Sequence, residues 1–186
     1  DSQAISVSVT PVNDNNPVIT SDGGAATAAV NVAENSTAVT TVTATDADLP
    51  AQTLNYTITG GADAALFGIN AGTGALTFLA APDYEAPGDA NTDNVYEVTV
   101  QVYDGAGGTD SQAISVSVTP VNDNNPVITS DGGAATAAFN VAENSTAVTT
   151  VTATDADIPA QTMNYTITGG ADAALFGINA GTGALT

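Results

Sequence analysis

The chain has 186 residues, of which 20 are acidic and none is Lys, Arg or His, so its formal net charge is −20. Without His, Cys or Lys it lacks the usual general bases and activated nucleophiles, and without Lys or Arg it has no group to bind the phosphates of nucleic acid or anionic membranes. A hydrophobic content of 43% argues against disorder, and no apolar run reaches the roughly 18 residues of a membrane span.

Alternation of apolar residues with a period of two predicts short β-strands along the chain. Thr and Val dominate these segments, Gly, Asp and Pro separate them, and no helical period competes. In chain order the segments are AISVSV at 4–9 (again at 113–118), VNV at 30–32, residues 38–45, LNYTI at 54–58, LFGI at 66–69, ALTF at 75–78 and YEVTVQV at 96–102. Seven such strands per repeat predict an all-β fold, a Greek-key β-sandwich whose large alternating side chains form the core.

The sequence repeats itself with a period of 109 residues, since residues 1–77 match residues 110–186 at all but three positions. The three mismatched pairs are Val30/Phe139, Leu49/Ile158 and Leu54/Met163. Each pair exchanges one apolar residue for another, a kind of substitution that core positions tolerate. We therefore expect a tandem array, with the last strand of a preceding repeat at 1–12, a complete repeat at 13–121 and an incomplete following repeat at 122–186.

Carboxylates concentrate where predicted strands meet loops. Asp46 and Asp48 in DAD, and Asp83 and Glu85 in DYE, each place two carboxylates on the same side of an extended segment. Like charges in this position repel each other unless a cation lies between them. Because the available ligands are all oxygens, they suit a hard cation with roughly 6–8 oxygen ligands, which favours calcium over zinc or magnesium.

The motifs AEN, DAD, LNYTI, FGINAGTGALTF, DYE, VYDGAGG and VNDNNP, in this order, resemble the cadherin repeat in its bacterial version, over the whole repeat. The resemblance implies a large surface adhesin, placed outside the cell, in which calcium ions bind at each junction between repeats. It also implies that the base of one repeat, the linker and the top of the next repeat supply the ligands. The sequence departs from the family at Pro11 and Pro120, where the linker usually begins with an acid.

Carried over position by position, the resemblance implies ligands in both copies of the repeat. The central junction would use Glu34, Asp83 and Glu85, the linker 122–124, and acids and an Asn from the following repeat. The full implied set is Asn13, Asp14, Asn15, Glu34, Asp46, Asp48, Asn55, Asp83, Glu85, Asp104, Asn122, Asp123, Asn124, Glu143, Asp155, Asp157 and Asn164. The linker prolines restrict backbone freedom, so less entropy is lost when the metal orders the linker.

The predicted function is mechanical: a calcium-stiffened structural or adhesive repeat without enzymatic activity, whose partners are neighbouring repeats. One alternative is a polysaccharide-binding module, against which the absence of Trp argues. Another is a self-assembling filament or sheet, since near-identical copies present the same surface many times. Paired carboxylates also occur in glycosidases, but no cleft-lining aromatic residue supports that function. The loop with Asp89, Asn91 and Asp93 could hold an extra calcium ion, although we favour a solvated loop.

Overall fold

The computed structural model describes all 186 residues and divides them into two compact units, Asp1–Thr119 and Pro120–Thr186. Their regular structure consists of β-strands and short 3-10 turns, with no α-helix. The 3-10 turns lie at Ser21–Gly24, Ala64–Leu66, Ser130–Gly133 and Ala173–Leu175. No helix has the length and apolar content that a membrane span requires. The predicted all-β class is confirmed.

The first unit contains nine strands, and each strand predicted for the repeat overlaps at least one of them. The strands are β1 (Val18–Ile19), β2 (Thr27–Ala33), β3 (Ala38–Thr41), β4 (Ala44–Thr45), β5 (Asn55–Gly60), β6 (Phe67–Ile69), β7 (Ala75–Phe78), β8 (Val95–Tyr103) and β9 (Thr109–Thr119). The segment predicted as one strand at 38–45 forms β3 and β4. Strand β1 was not predicted, because two residues are too short to show a period.

The strands of the first unit form a sandwich. One sheet has the order β2-β9-β8-β5 and the other the order β3-β7-β6, while β1 pairs with β4. The β2–β9 pair is parallel and joins Val30 to Val116, whereas β8 pairs antiparallel with both β9 and β5. Strand β9 therefore lies inside the sheet. On one side it pairs with β2, which is distant in the sequence, and on the other side with β8, which runs antiparallel to it.

The core lies between the two sheets and consists of the alternating residues that the period-two pattern indicates. On β8 the side chains of Tyr96, Val98, Val100 and Val102 are buried, and the residues between them are more exposed. The Tyr96 ring packs edge-on against Phe78 from the other sheet, with ring centroids 5.1 Å apart and an interplanar angle of 79°. These contacts hold one face of each strand against the core. The polar loops lie at the ends of the strands.

The second unit has only four short strands, although its sequence nearly repeats that of the first unit. They are β10 (Val127–Ile128), β11 (Thr149–Thr150), β12 (Ala153–Thr154) and β13 (Ala184–Leu185), paired as β10–β12 and β11–β13. Residues 164–169 have the sequence of β5 but form no strand. Strand β5 pairs with β8, and residues 120–186 contain no counterpart of β8. The absence of a pairing partner explains the difference.

Residues 1–17 form no strand either, and residues 1–12 are exposed. Residues 1–10 have the same sequence as residues 110–119, which lie in β9 between β2 and β8. Within the first unit, the place for this sequence is thus already filled. The assignment of residues 1–12 to a preceding repeat, and the boundaries 13–121 and 122–186, stay predictions.

Candidate metal centre

The linker at residues 13–15 lies against the DAD loop that follows β4. Asp48 Oδ2 accepts the backbone N–H of Asn15 at 2.9 Å and that of Asp14 at 3.2 Å. The Asn15 side-chain nitrogen donates to Asp48 Oδ1 at 2.5 Å, and the Asp48 N–H donates to Asp46 Oδ1 at 2.9 Å. One buried carboxylate, that of Asp48, therefore fixes both the linker and its own loop.

A second buried carboxylate, that of Asp104, stands at the end of β8. Its Oδ1 accepts the backbone N–H groups of Ala106, Gly107 and Gly108 at 2.8, 3.1 and 3.0 Å. A Cβ atom at position 108 would lie 2.5 Å from Asp104 Oδ2, so a larger residue there would have to displace the carboxylate that the turn holds. The turn thus uses one oxygen of Asp104 and leaves the other facing the linker.

The Asn13 side chain joins these two carboxylates. Its nitrogen donates to Gln52 Oε1 at 2.6 Å, and this orientation turns its amide oxygen toward Asp48 Oδ2 and Asp104 Oδ2. If the amide is rotated, its nitrogen lies 3.0 Å from each of these oxygens and donates to both. The place where Asn13, Asp48 and Asp104 meet therefore accommodates either an amide nitrogen or a group of three oxygens around a cation.

Hydrogen bonding keeps both carboxylates ionised. The Asn15 side chain lowers the pKa of Asp48 below its ordinary value, with further help from the Asn15 and Asp14 N–H groups and against the effect of burial. The Ala106 N–H lowers the pKa of Asp104, also against burial, and the N–H groups of Gly108 and Gly107 act in the same direction. Both side chains thus retain the charge that a cation ligand needs.

A hard cation fits the residues around Asp48. The Oδ2 atom of Asp46 is buried and has no hydrogen-bond partner. Buried polar atoms are rarely left so, and a missing ion is one explanation for such an atom. Every donor atom in the group is an oxygen, and the chain contains no basic side chain to neutralise the charge. This donor set suits calcium.

A second group of carboxylates lies elsewhere in the first unit, where β2 ends. Glu34 follows that strand, and carboxylate oxygens of Glu34, Asp83 and Glu85 all lie within 4.8 Å of one another. Glu34 is only 3% exposed, and its Oε2 accepts the Tyr84 N–H at 2.8 Å. The Glu85 N–H donates to Asp83 Oδ1 at 3.0 Å. The structure therefore brings together the three residues that were predicted to act as a set.

The second unit repeats the arrangement around the linker. The Asn124 N–H donates to Asp157 Oδ1 at 3.1 Å, and the Asp157 N–H donates to Asp155 Oδ1 at 3.1 Å. Burial tends to raise the pKa of Asp157, but the Asn124 side chain and the N–H groups of Asn124 and Asp123 lower it overall. The same short sequence thus forms the same contacts twice.

Three predicted ligands show no side-chain contact that supports a metal site. The Asn55 side-chain nitrogen donates to the Thr53 carbonyl oxygen at 3.3 Å. The Asn55 backbone pairs with Tyr103, the residue before Asp104. Asn164 is exposed. Glu143 is exposed as well, although its counterpart Glu34 is buried. For these three residues, as for the other proposed ligands, the assignment stays a prediction.

The sequence analysis missed Gln52 and its counterpart Gln161. Gln52 holds the Asn13 amide, as described above, and Gln161 both accepts from Asn122 at 2.6 Å and donates to Asp157 Oδ2 at 2.9 Å. A polar residue four positions after the DAD motif, at the end of the otherwise apolar segment LPAQ, was the available signal.

The acidic loop at residues 89–93 is held by its own backbone. Asp89 is buried and accepts the Asp93 N–H at 2.9 Å, and Asp93 accepts the Val95 N–H at 2.8 Å. Asp63, also buried, accepts the N–H groups of Ala90 and Glu97 at 2.7 and 2.8 Å. These bonds are typical of a capped turn, and they account for the acids without a cation.

Comparison with known proteins identifies relatives of the chain. Residues 28–119 match the family model for the cadherin domain. Human Protocadherin Fat 4 is 35% identical over 151 residues, which cover 80% of this chain and 3% of that protein. The structure of Protocadherin Gamma B2 extracellular cadherin domains 3-6 has a TM-score of 0.64 and 25% identity, over 95% of this chain and 44% of that one. The Protocadherin gammaB7 EC3-6 cis-dimer structure has a TM-score of 0.64 and 26% identity, over 95% of this chain and 43% of that one. The chain thus spans a small part of its curated relative.

Proposed function

Residues 28–119 belong to the cadherin domain family, and on this premise we propose that the chain is an adhesive extracellular repeat that binds calcium and is stiffened by it. The role is mechanical and includes no catalytic step. Its setting is the cell surface, as part of a longer array. The bacterial adhesin setting is proposed on the likeness of the repeat motifs to the bacterial version of the family.

The observation that carries this proposal is the meeting of oxygens at Asn13, Asp48 and Asp104. The Asn13 amide lies 3.0 Å from a carboxylate oxygen of each acid, and the nearby Asp46 Oδ2 is buried without a hydrogen-bond partner. In a chain without Lys, Arg or His, only a metal ion or the solvent can balance these charges. Calcium, when bound, would supply that positive charge.

The chain's own residues prepare the site before any ion binds. The three N–H bonds to Asp104 Oδ1 orient that carboxylate, and the bonds from residues 14 and 15 orient Asp48. Such bonds reduce the entropy that is lost when ligands become fixed, and rigidity of the site is one determinant of calcium affinity. The linker 13–15 is already docked on the loop, so binding would stiffen a connection that exists without the ion.

Repulsion between acids gives calcium a mechanical effect. Two like charges about 5 Å apart repel each other by roughly 1 kcal/mol in water and roughly 3 kcal/mol at an effective dielectric constant of 20. The group Glu34, Asp83 and Glu85 has carboxylate oxygens within 4.8 Å of one another. We propose that calcium offsets this repulsion at the base of a repeat, as it does around Asp48 at the top. Asn122, Asp123, Asn124, Asp155 and Asp157 would serve the next repeat in the same way.

Lateral association of copies is a second candidate function. A related protein, Protocadherin gammaB7, has been solved as a cis-dimer. Repeats that differ at only three of 77 positions would present the same surface at regular intervals, which favours repeated contacts between copies. Polysaccharide binding, the other alternative, stays a prediction without a structural feature in its favour.

Titration calorimetry with calcium and with magnesium tests the proposed function. We expect calcium to bind with a dissociation constant of about 10⁻⁴ to 10⁻³ M, as extracellular modules do, and magnesium to bind more weakly because it dehydrates reluctantly. Asp46→Asn should weaken calcium binding at one class of site. Glu97→Gln, which also removes one charge but lies exposed on β8, should not. Equal effects of the two substitutions would show that calcium binding depends on the net charge of the chain alone.

A further inference from the structure

Strands β2 and β9 form one uninterrupted parallel ladder. All seven residues of β2 pair with β9, without a shift of register. The bonding also continues past both ends of β2. Before the strand begins, the Ala113 N–H donates to Ala26 O at 2.9 Å, and after it ends, the Glu34 N–H donates to Thr119 O at 3.0 Å. The whole of β2 is therefore attached to the last strand of the first unit.

Two side chains of β9 extend this attachment to the segment that precedes β2. Asp110 Oδ2 accepts the Ile19 N–H at 2.8 Å. The Gln112 side-chain nitrogen donates to Ala25 O at 2.8 Å and, over a longer distance of 3.4 Å, to Ser21 O. These bonds span the stretch where the chain crosses from β1, which pairs with β4, to β2, which pairs with β9.

Burial of Gln112 shows that these bonds matter at its position. Its side chain is 0% exposed, and its Oε1 atom has no hydrogen-bond partner. A buried acceptor without a partner destabilises a fold, and an apolar side chain of the same size would avoid this loss. The bonds from its nitrogen to the crossing between β1 and β2 are what such an apolar side chain could not make.

The direction of tension decides how the ladder is loaded. In a tandem array, tension enters the first unit through the linker before β1 and leaves it through the residues after β9. Because β2 and β9 are parallel, the two pulls act in opposite directions along the strands and load all bonds of the ladder together, in shear. An antiparallel pair such as β8 and β9, pulled apart at neighbouring strand ends, would instead separate bond by bond.

We propose that the β2–β9 ladder is a mechanical clamp that bears tension within the repeat, and that Asp110 and Gln112 latch the preceding segment to it. This function differs from the calcium-dependent stiffening of the junctions between repeats. It rests on the array of the proposed function but not on the ion, because neither β2 nor β9 contains a proposed calcium ligand.

Single-molecule force spectroscopy on the full chain in EGTA tests the clamp by its dependence on direction. The chain has no cysteine, so handles can be attached at chosen positions. Pro11→Cys with Pro120→Cys, both exposed, loads β2 and β9 in shear. Thr92→Cys with Pro120→Cys pulls apart the neighbouring ends of β8 and β9. We expect a several-fold higher unfolding force in the shear geometry at the same loading rate. An equal or lower force there would overturn the proposal.

Asp110→Ala and Gln112→Met test the latch, with Glu97→Ala as the control at an exposed position of β8. Forced unfolding is governed by the unfolding rate. Loss of one net hydrogen bond that breaks before the transition state should raise this rate about fivefold in the shear geometry. The handles at 92 and 120 do not load the crossing between β1 and β2, so the rate should change much less there. Glu97→Ala should change neither rate.

The dependence on direction distinguishes a latch from an ordinary stabilising contact. A latch variant that unfolds faster by the same factor in both geometries would assign Asp110 or Gln112 a structural role only. A variant that unfolds like the wild type in shear would remove that residue from the clamp. Near-ultraviolet circular dichroism verifies that each variant is folded, and the comparison of the two geometries in the otherwise unchanged chain does not depend on any variant of the latch.

Discussion

Removal of calcium should lower the melting temperature of the first unit by an amount that the structure allows us to estimate. At a calcium concentration ten times the dissociation constant, each independent site stabilises the folded state by about 1.4 kcal/mol. A change of 1 kcal/mol shifts the midpoint of a domain of roughly 100 residues by about 4–8 °C. One ion at the proposed site of Asp46, Asp48 and Asp104 should therefore raise the midpoint by about 6–11 °C. With a dissociation constant of at most about 10⁻³ M, ~10 mM calcium is enough to reach this value.

The assay is thermal unfolding followed by near-ultraviolet circular dichroism, in calcium and in excess EGTA. The signal reports the first unit, because Tyr96 is buried and packs edge-on against Phe78. We expect calcium to bind the folded arrangement of ligands and not the unfolded chain, so the shift would measure linkage at the proposed site. The chain contains no Trp, and the tyrosine and phenylalanine bands are therefore not masked.

Asp104→Asn separates the two roles of this residue. The amide keeps an oxygen that can accept the N–H groups of residues 106–108, which now bond to Oδ1, but it removes the charge that faces Asn13. We expect the variant to melt close to wild type in EGTA and to lose most of the shift that calcium produces. Glu97→Gln removes the same charge at an exposed position and should keep the full calcium-dependent shift of the melting temperature.

Two results would refute this reasoning. A melting curve that is identical in calcium and in EGTA would mean that the oxygens around Asp48 do not hold the ion. A full calcium shift in Asp104→Asn would mean that the Asp104 carboxylate is only a cap for its own turn. If Asp104→Asn melts far below wild type in EGTA, the three N–H bonds depend on the carboxylate charge, contrary to our expectation.

Three further predictions concern the core, the pH dependence and the missed glutamine. Leu76→Ala, at a core position that is 1% exposed, should destabilise the first unit by about 2–5 kcal/mol in denaturant unfolding, whereas Leu49→Ala, 75% exposed, should have little effect. Because the pKa of Asp48 is lowered in the folded state, its contribution to stability is complete above about pH 4 and is lost as the pH falls through the folded-state pKa. A series of melting curves at acid pH in EGTA should show this loss, and Asp48→Asn should reduce it. Gln52→Ala should weaken calcium binding several-fold in calorimetry, because it releases Asn13, while Asn55→Ala should not, because only the Asn55 backbone lies near Asp104.

The positions of the strands and most of the candidate site could be predicted from the sequence, because both depend on local patterns. Alternation of apolar residues is a property of one segment, and it identified each strand of the first unit except β1, which has two residues. Acids at strand ends are likewise visible in the sequence, and the structure brings Asp48 and Asp104 close to the linker. Gln52 was missed because its contact with Asn13 spans 39 residues and follows no period.

Identical segments in the two units show what only the tertiary structure decides. The sequence SQAISVSVT is a buried strand at 111–119 and an exposed, unpaired segment at 2–10. Glu34 is 3% exposed, while Glu143, in the same local sequence, is exposed. Local sequence sets the face that a segment can bury and the turns that it can form. Burial and backbone pairing need a partner strand, and the tertiary structure supplies that partner to one copy of the segment and not to the other.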